Sequence, residues 1–126
     1  MLAPEGLERL KAVFHSWLGW SAKAGLAGGC PVAAGLFEFD DVEGAVRNRL
    51  LAQETEWQAF LATLTRAAIA HHELRPTLDV AQFVWELQGI YLSHHVSLRF
   101  VRDPNADQRA HAAFERLLQD AMPPAK

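Results

Sequence analysis

An all-α fold of about five helices is what this sequence predicts, and three observations predict it. Apolar residues recur at three- and four-residue spacing through most of the chain. The prolines and several capping aspartates stand at the ends of those periodic stretches. No segment shows a convincing period-two strand pattern, an internal repeat or a low-complexity tract.

Pro4 reads as a first-turn proline. Leu7, Leu10, Phe14, Trp17 and Leu18 then form one stripe, predicting a first helix to about Trp20. Gly19 and the loop Gly25-Leu26-Ala27-Gly28-Gly29 end it, and Pro31 opens a short second helix to about Phe39. Asp40-Asp41 supplies N-cap carboxylates for a third helix from about Val42 to His72, with Val46, Leu50, Trp57, Phe60, Leu61, Leu64 and Ala68 as its buried stripe. Pro76 excludes helix through Arg75, and Asp79 caps a fourth helix from about Val80 to Val101. Asp103-Pro104 starts a fifth, from about Asn105 to Gln119, with Ala106, Ala110, Ala113, Phe114, Leu117 and Leu118 inward; Pro123-Pro124 cannot continue it.

Composition narrows the function. The 126 residues suit a single domain over 1–126, able to bury roughly 65% of its unfolded surface. Half are hydrophobic and 21% charged, as in ordinary globular proteins. A formal net charge of -3 lacks the positive field that gripping a phosphate backbone demands, so these residues alone are expected to bind DNA poorly. The lone cysteine, Cys30, excludes an internal disulfide and a multi-cysteine zinc site. No secretion signal and no run of about 18 apolar residues is present, which gives the expectation of a cytoplasmic protein without membrane contact.

The fourth helix is apolar on two nearly opposite sides. Val80, Phe83, Val84, Leu87, Ile90, Tyr91, His94 and Leu98 form one group; Trp85, Gly89, Leu92 and Val96 form the other. Such a helix needs two partners. Either it is central to its own fold, or its second face meets another copy of the chain, where Gly89 would permit close approach.

Catalytic and metal chemistry find little support. There is no nucleophile elbow, phosphate loop or helically spaced carboxylate pair, and Ser16, Ser21, Ser93 and Ser97 lack a His and Asp context. Adjacent histidines, His71-His72 and His94-His95, diverge by 100° on a helix and close poorly on one ion, so no metal and no cofactor is expected. His71-His72 is instead expected at the negative end of the third helix. Cys30 before Pro31 occupies a position that favours a thiolate, but a small packing residue in a tight loop is the better explanation. Glu38 and Glu86 lie beside apolar stripes, where they would hydrogen-bond a cationic molecule or simply edge the surface.

The ordered combination Gly28-Gly29-Cys30-Pro31-Val32-Ala33-Ala34, Glu38-Phe39-Asp40-Asp41, Trp57 with Phe60-Leu61, Glu73-Leu74-Arg75 before Asp79, then Phe83, Glu86-Leu87, Gly89, Asp103-Pro104 and Arg109-Ala110 resembles the C-terminal regulatory domain of tetracycline-repressor (TetR) family proteins. The resemblance implies a helical bundle that dimerises through its last two long helices and binds a small-molecule effector. It implies DNA binding only through an N-terminal helix-turn-helix that this chain does not contain. On that reading, ligand contacts are expected from Phe14, Trp17, Phe37, Trp57, Phe60, Leu61, Leu87, Tyr91 and His94, and the effector is expected to be flat and apolar, aromatic or cationic. The homodimer face is expected from Trp85, Gly89, Leu92, Val96, Phe114 and Leu118. The rival expectation is a stand-alone helical protein that binds a small ligand and has no part in DNA binding.

Overall fold

The computed structural model describes residues 4–26 and 28–125, so Met1, Ala27 of the expected glycine-rich loop and Lys126 lie outside the described residues. Six α-helices follow one another: α1 (Leu7–Trp17), α2 (Trp20–Lys23), α3 (Pro31–Glu38), α4 (Ala45–Ala70), α5 (Val80–Val96) and α6 (Ala106–Ala121). The last turns of α5 continue as a π-helical segment, Ser97–Val101. Among the described residues there is no strand.

The expected first helix is two. It starts at Leu7 rather than Pro4, because its first free amide is satisfied from elsewhere in the chain: Leu7 N–H donates to Glu73 Oε1 at 3.1 Å. It stops at Trp17, where Leu18 turns extended and Gly19 takes a left-handed conformation at φ 66°, and one further turn, α2, leaves in a new direction. Pro31 opens α3 as expected, with the Cys30 sulfur accepting from Ala33 N–H at 3.4 Å.

Helix α4 begins at Ala45, not Val42, and neither Asp40 nor Asp41 caps it; Gly44, at φ 142°, precedes it without a side-chain cap. Its C-terminus falls where expected. His71 is the cap and His72 is left-handed at φ 61°, with His72 N–H on Ile69 O (2.9 Å) and Glu73 N–H on Ala68 O (3.0 Å), the paired bonds of a Schellman ending. Asp79 caps α5 by accepting from Gln82 N–H at 3.1 Å. Arg75 then ties the α4–α5 loop to the end of α6, its N–H on Ala121 O at 2.9 Å and its guanidinium on Asp120 O.

One core joins α1, the C-terminal half of α4, α5 and α6. Phe14 stacks on Phe114 with centroids 4.0 Å apart, and Leu10, Leu61, Leu74, Phe83, Leu87 and Leu118 are buried around them. The expected α4 stripe divides. Leu61, Leu64 and Ala68 are buried, whereas Val46 and Phe60 are exposed and Leu50 and Trp57 are half-buried. The reason is length: α4 outruns the core, and its N-terminal half has only short α3 to pack on, with Gly35 close against Leu50.

Candidate ligand cavity and the exposed helix-pair face

Beside that core, α1, α2, α3, the middle of α4 and α5 wall a cavity of about 910 Å³. Its position follows from two interleaved stripes on α1. Leu7, Leu10, Phe14 and Leu18 face the core, while Arg9, Val13, Ser16 and Trp17 are turned about a third of a revolution and face the cavity. Trp20 of α2 continues the second stripe. Helix α5 adds Gln88, Tyr91 and Leu92 at i, i+3 and i+4, and α4 adds Gln53, Glu54, Trp57 and Phe60.

Aromatic rings make the wall continuous. Trp17 stacks on Tyr91 at 4.1 Å and meets Trp57 edge-on at 5.1 Å; Trp57 in turn meets Phe60 at 5.4 Å. The Tyr91 hydroxyl accepts from Trp20 Nε1 at 2.9 Å and lies beside Cys30. Burial pushes the Tyr91 phenol well above its ordinary value, and the Cys30 contact pushes it the same way against the opposing Trp20 bond. The hydroxyl therefore stays neutral and fixed. The wall offers packing surface and hydrogen bonds. Among the described residues no group of three or more His, Cys, Asp or Glu side chains is placed to hold a metal ion.

Of the residues expected at the ligand, Trp17, Trp57, Phe60 and Tyr91 line the cavity together. The others do not. Phe14, Leu61 and Leu87 are in the core at zero exposure, because each sits on its helix's other stripe or beyond the cavity's end. Phe37 points outward, 60% exposed, and its neighbour Leu36 faces the cavity instead. His94 is buried towards α6, with its Nε2 2.7 Å from Asp107 Oδ1. Trp20, Cys30 and Gln88 also line the cavity, although they were not among the residues expected at the ligand. Gln88 was findable, since it shares a stripe with Tyr91 and Leu92.

A second feature lies on the opposite side of α5. Trp85 is 71% exposed, Gly89 has nothing within 4 Å of where a Cβ would stand, and both border a groove of about 570 Å³ between α5 and α6. Val96 is also exposed. Three residues expected on a dimer face are elsewhere: Leu92 lines the cavity, and Phe114 and Leu118 are fully packed inside the protomer, so α6 offers Ala113, Arg116 and Leu117 to the groove in their place.

These elements build a helical bundle with an aromatic-walled cavity on one side of α5 and an uncovered α5–α6 face on another. The chain matches the tetracyclin repressor-like C-terminal domain family over residues 6–114, and it belongs to that family. Such domains are regulatory rather than catalytic. Comparison with curated protein sequences gives no significant match. Among the described residues no helix is long and apolar enough to cross a membrane.

Proposed function

We propose that this chain is the effector-binding and dimerisation domain of a TetR-like transcriptional regulator, working in the cytoplasm as a repressor whose DNA reader is an N-terminal helix-turn-helix outside these residues. The observation that carries this reading is the cavity built by Trp17, Trp57, Phe60 and Tyr91 from α1, α4 and α5. Its volume is in the range of small-molecule sites, and family membership supports a regulatory role for what it binds.

The signal runs through α1. Its cavity stripe touches the ligand space and its core stripe is locked to α6 through Phe14 and Phe114, so a ligand that favours one tilt of α1 shifts the dimer between arrangements. The dimer forms on Trp85, Gly89 and Val96 with the outer side of α6. Glu86 and Asp120 share that groove with Arg109 and Arg116, a mixed-sign surface that can complement itself across a two-fold axis.

The test is binding of small aromatic compounds followed by thermal shift and sedimentation. Trp57→Ala or Tyr91→Ala weakens binding and leaves the dimer intact. Loss of the dimer with normal binding would contradict the assignment of the two faces.

A further inference from the structure

Trp57 Nε1 and Gln88 Oε1 are, among the described residues, the buried side-chain polar atoms without a hydrogen-bond partner, and both belong to the cavity wall. A buried donor or acceptor left unpaired is costly, and native folds keep few of them. Several other polar groups of the wall are already engaged. Trp20 Nε1 and the Tyr91 hydroxyl hold each other, Arg9 pairs with Glu5 at 3.6 Å, and Glu54 accepts from Gln58 Nε2 at 3.0 Å. The wall therefore keeps one indole N–H in need of an acceptor and one amide oxygen in need of a donor. Both are neutral groups.

We infer that the cavity takes an uncharged, flat ring compound whose polar edge carries both a hydrogen-bond acceptor, for Trp57 Nε1, and a donor, for Gln88 Oε1, as a lactam or a phenol does. The rings of Trp17, Trp57 and Phe60 cover its faces, and both unpaired buried atoms are neutral. Both polar atoms are shielded from water, so the ligand reaches them after a turn of the Gln88 amide about its terminal torsion, which is broad and soft. The inference rests on this cavity being the effector site proposed above.

Four bicyclic probes of similar size test it by calorimetric titration: 2-quinolinone (donor and acceptor), N-methyl-2-quinolinone (acceptor only), naphthalene (neither) and N-methylquinolinium (cation). The expected order is 2-quinolinone tightest, each lost hydrogen bond weakening binding about three- to tenfold. Gln88→Met removes the preference for 2-quinolinone over its N-methyl form, and Trp57→Phe removes the preference of the N-methyl form over naphthalene; thermal melts confirm that both variants fold. Equal affinity for all four would overturn the donor–acceptor inference and leave the cavity reading standing. Tightest binding of the cation would overturn it in favour of an ionic ligand. Failure of all four to bind would bring down the inference and the effector-site reading together.

Discussion

Trp17 lies flat on Tyr91, ring centroids 4.1 Å apart and planes within 5° of parallel, while the hydroxyl of the same tyrosine holds Trp20 beyond the α1–α2 break. One residue of α5 thus grips both sides of the corner that shapes the cavity. Tyr91→Phe keeps the stack and removes the hydroxyl, leaving Trp20 Nε1 without its partner. The expected cost is about 1–2 kcal/mol in urea unfolding, with the ring contact to Trp17 retained.

Gly89 separates the protomer from the dimer. A Cβ there meets nothing within 4 Å, so in an isolated protomer Gly89→Ala stabilises α5 by roughly 0.5–1 kcal/mol through the unfolded chain's entropy. On the proposed two-fold face the same methyl holds the partner helix away. Sedimentation equilibrium therefore shows weaker association for Gly89→Ala although dilute-solution melts show equal or higher stability. Trp85→Glu gives a folded monomer; unfolding of that variant would place Trp85 in a core rather than an interface.

The Glu73 carboxylate caps α1 from the α4–α5 loop, and Gly6 leaves it room, since a Cβ at Gly6 would overlap Glu73 Oε1. Glu73→Ala removes an acceptor and a negative charge from the positive end of α1, an expected loss of about 1 kcal/mol or less because the site is half exposed. Glu73→Gln keeps the acceptor and recovers part of that loss. Chemical denaturation of the three proteins gives the comparison.

Acid sensitivity begins with histidines. Burial holds His15 below the ordinary range, assisted by His111, Lys11 and Lys23 and opposed by Glu115; burial also lowers His95, with Arg99 and His94 adding to it. A histidine depressed in the fold takes its proton more readily in the unfolded chain. Stability is therefore full above the unfolded value of about 6.5 and is lost as pH falls through that value towards the lower folded one. Asp103, held down by the Asn105 amide and by Arg109, adds a second loss below about pH 4. Melting temperatures measured from about pH 7.5 to 5 fall for the wild type, and the fall is shallower in His15→Gln and in His95→Gln.

What the sequence made legible was set by local chemistry. Pro31, Asp79 and the His71-His72 ending mark helix boundaries through groups within a few residues, and all three lie where expected. The start of α1 was not legible, because its cap comes from Glu73, 66 residues away. Gly19 was legible as a helix ending, but the separate turn α2 beyond it was not, because the apolar stripe runs on through Trp20. The same limit divides the site. Periodicity identified Trp17, Trp57, Phe60 and Tyr91 as inward-facing, but Phe14 and Leu87 are inward-facing too, and only the packing of four helices decides which inward stripe meets the core and which meets the cavity. Phe114 and Leu118 differ from a dimer face for that reason alone.

The central claim is that the aromatic cavity beside α1 binds a small molecule. Ser16 faces the cavity from α1 but lies outside the core, so Ser16→Trp narrows the ligand space beside Trp17 without disturbing Phe14 or Leu10. Calorimetric titration of 2-quinolinone into the wild type and into Ser16→Trp tests the claim most directly. The wild type is expected to bind saturably at one site per chain and the variant to lose that binding, with its melting temperature unchanged or raised. Undiminished binding to Ser16→Trp would contradict the claim.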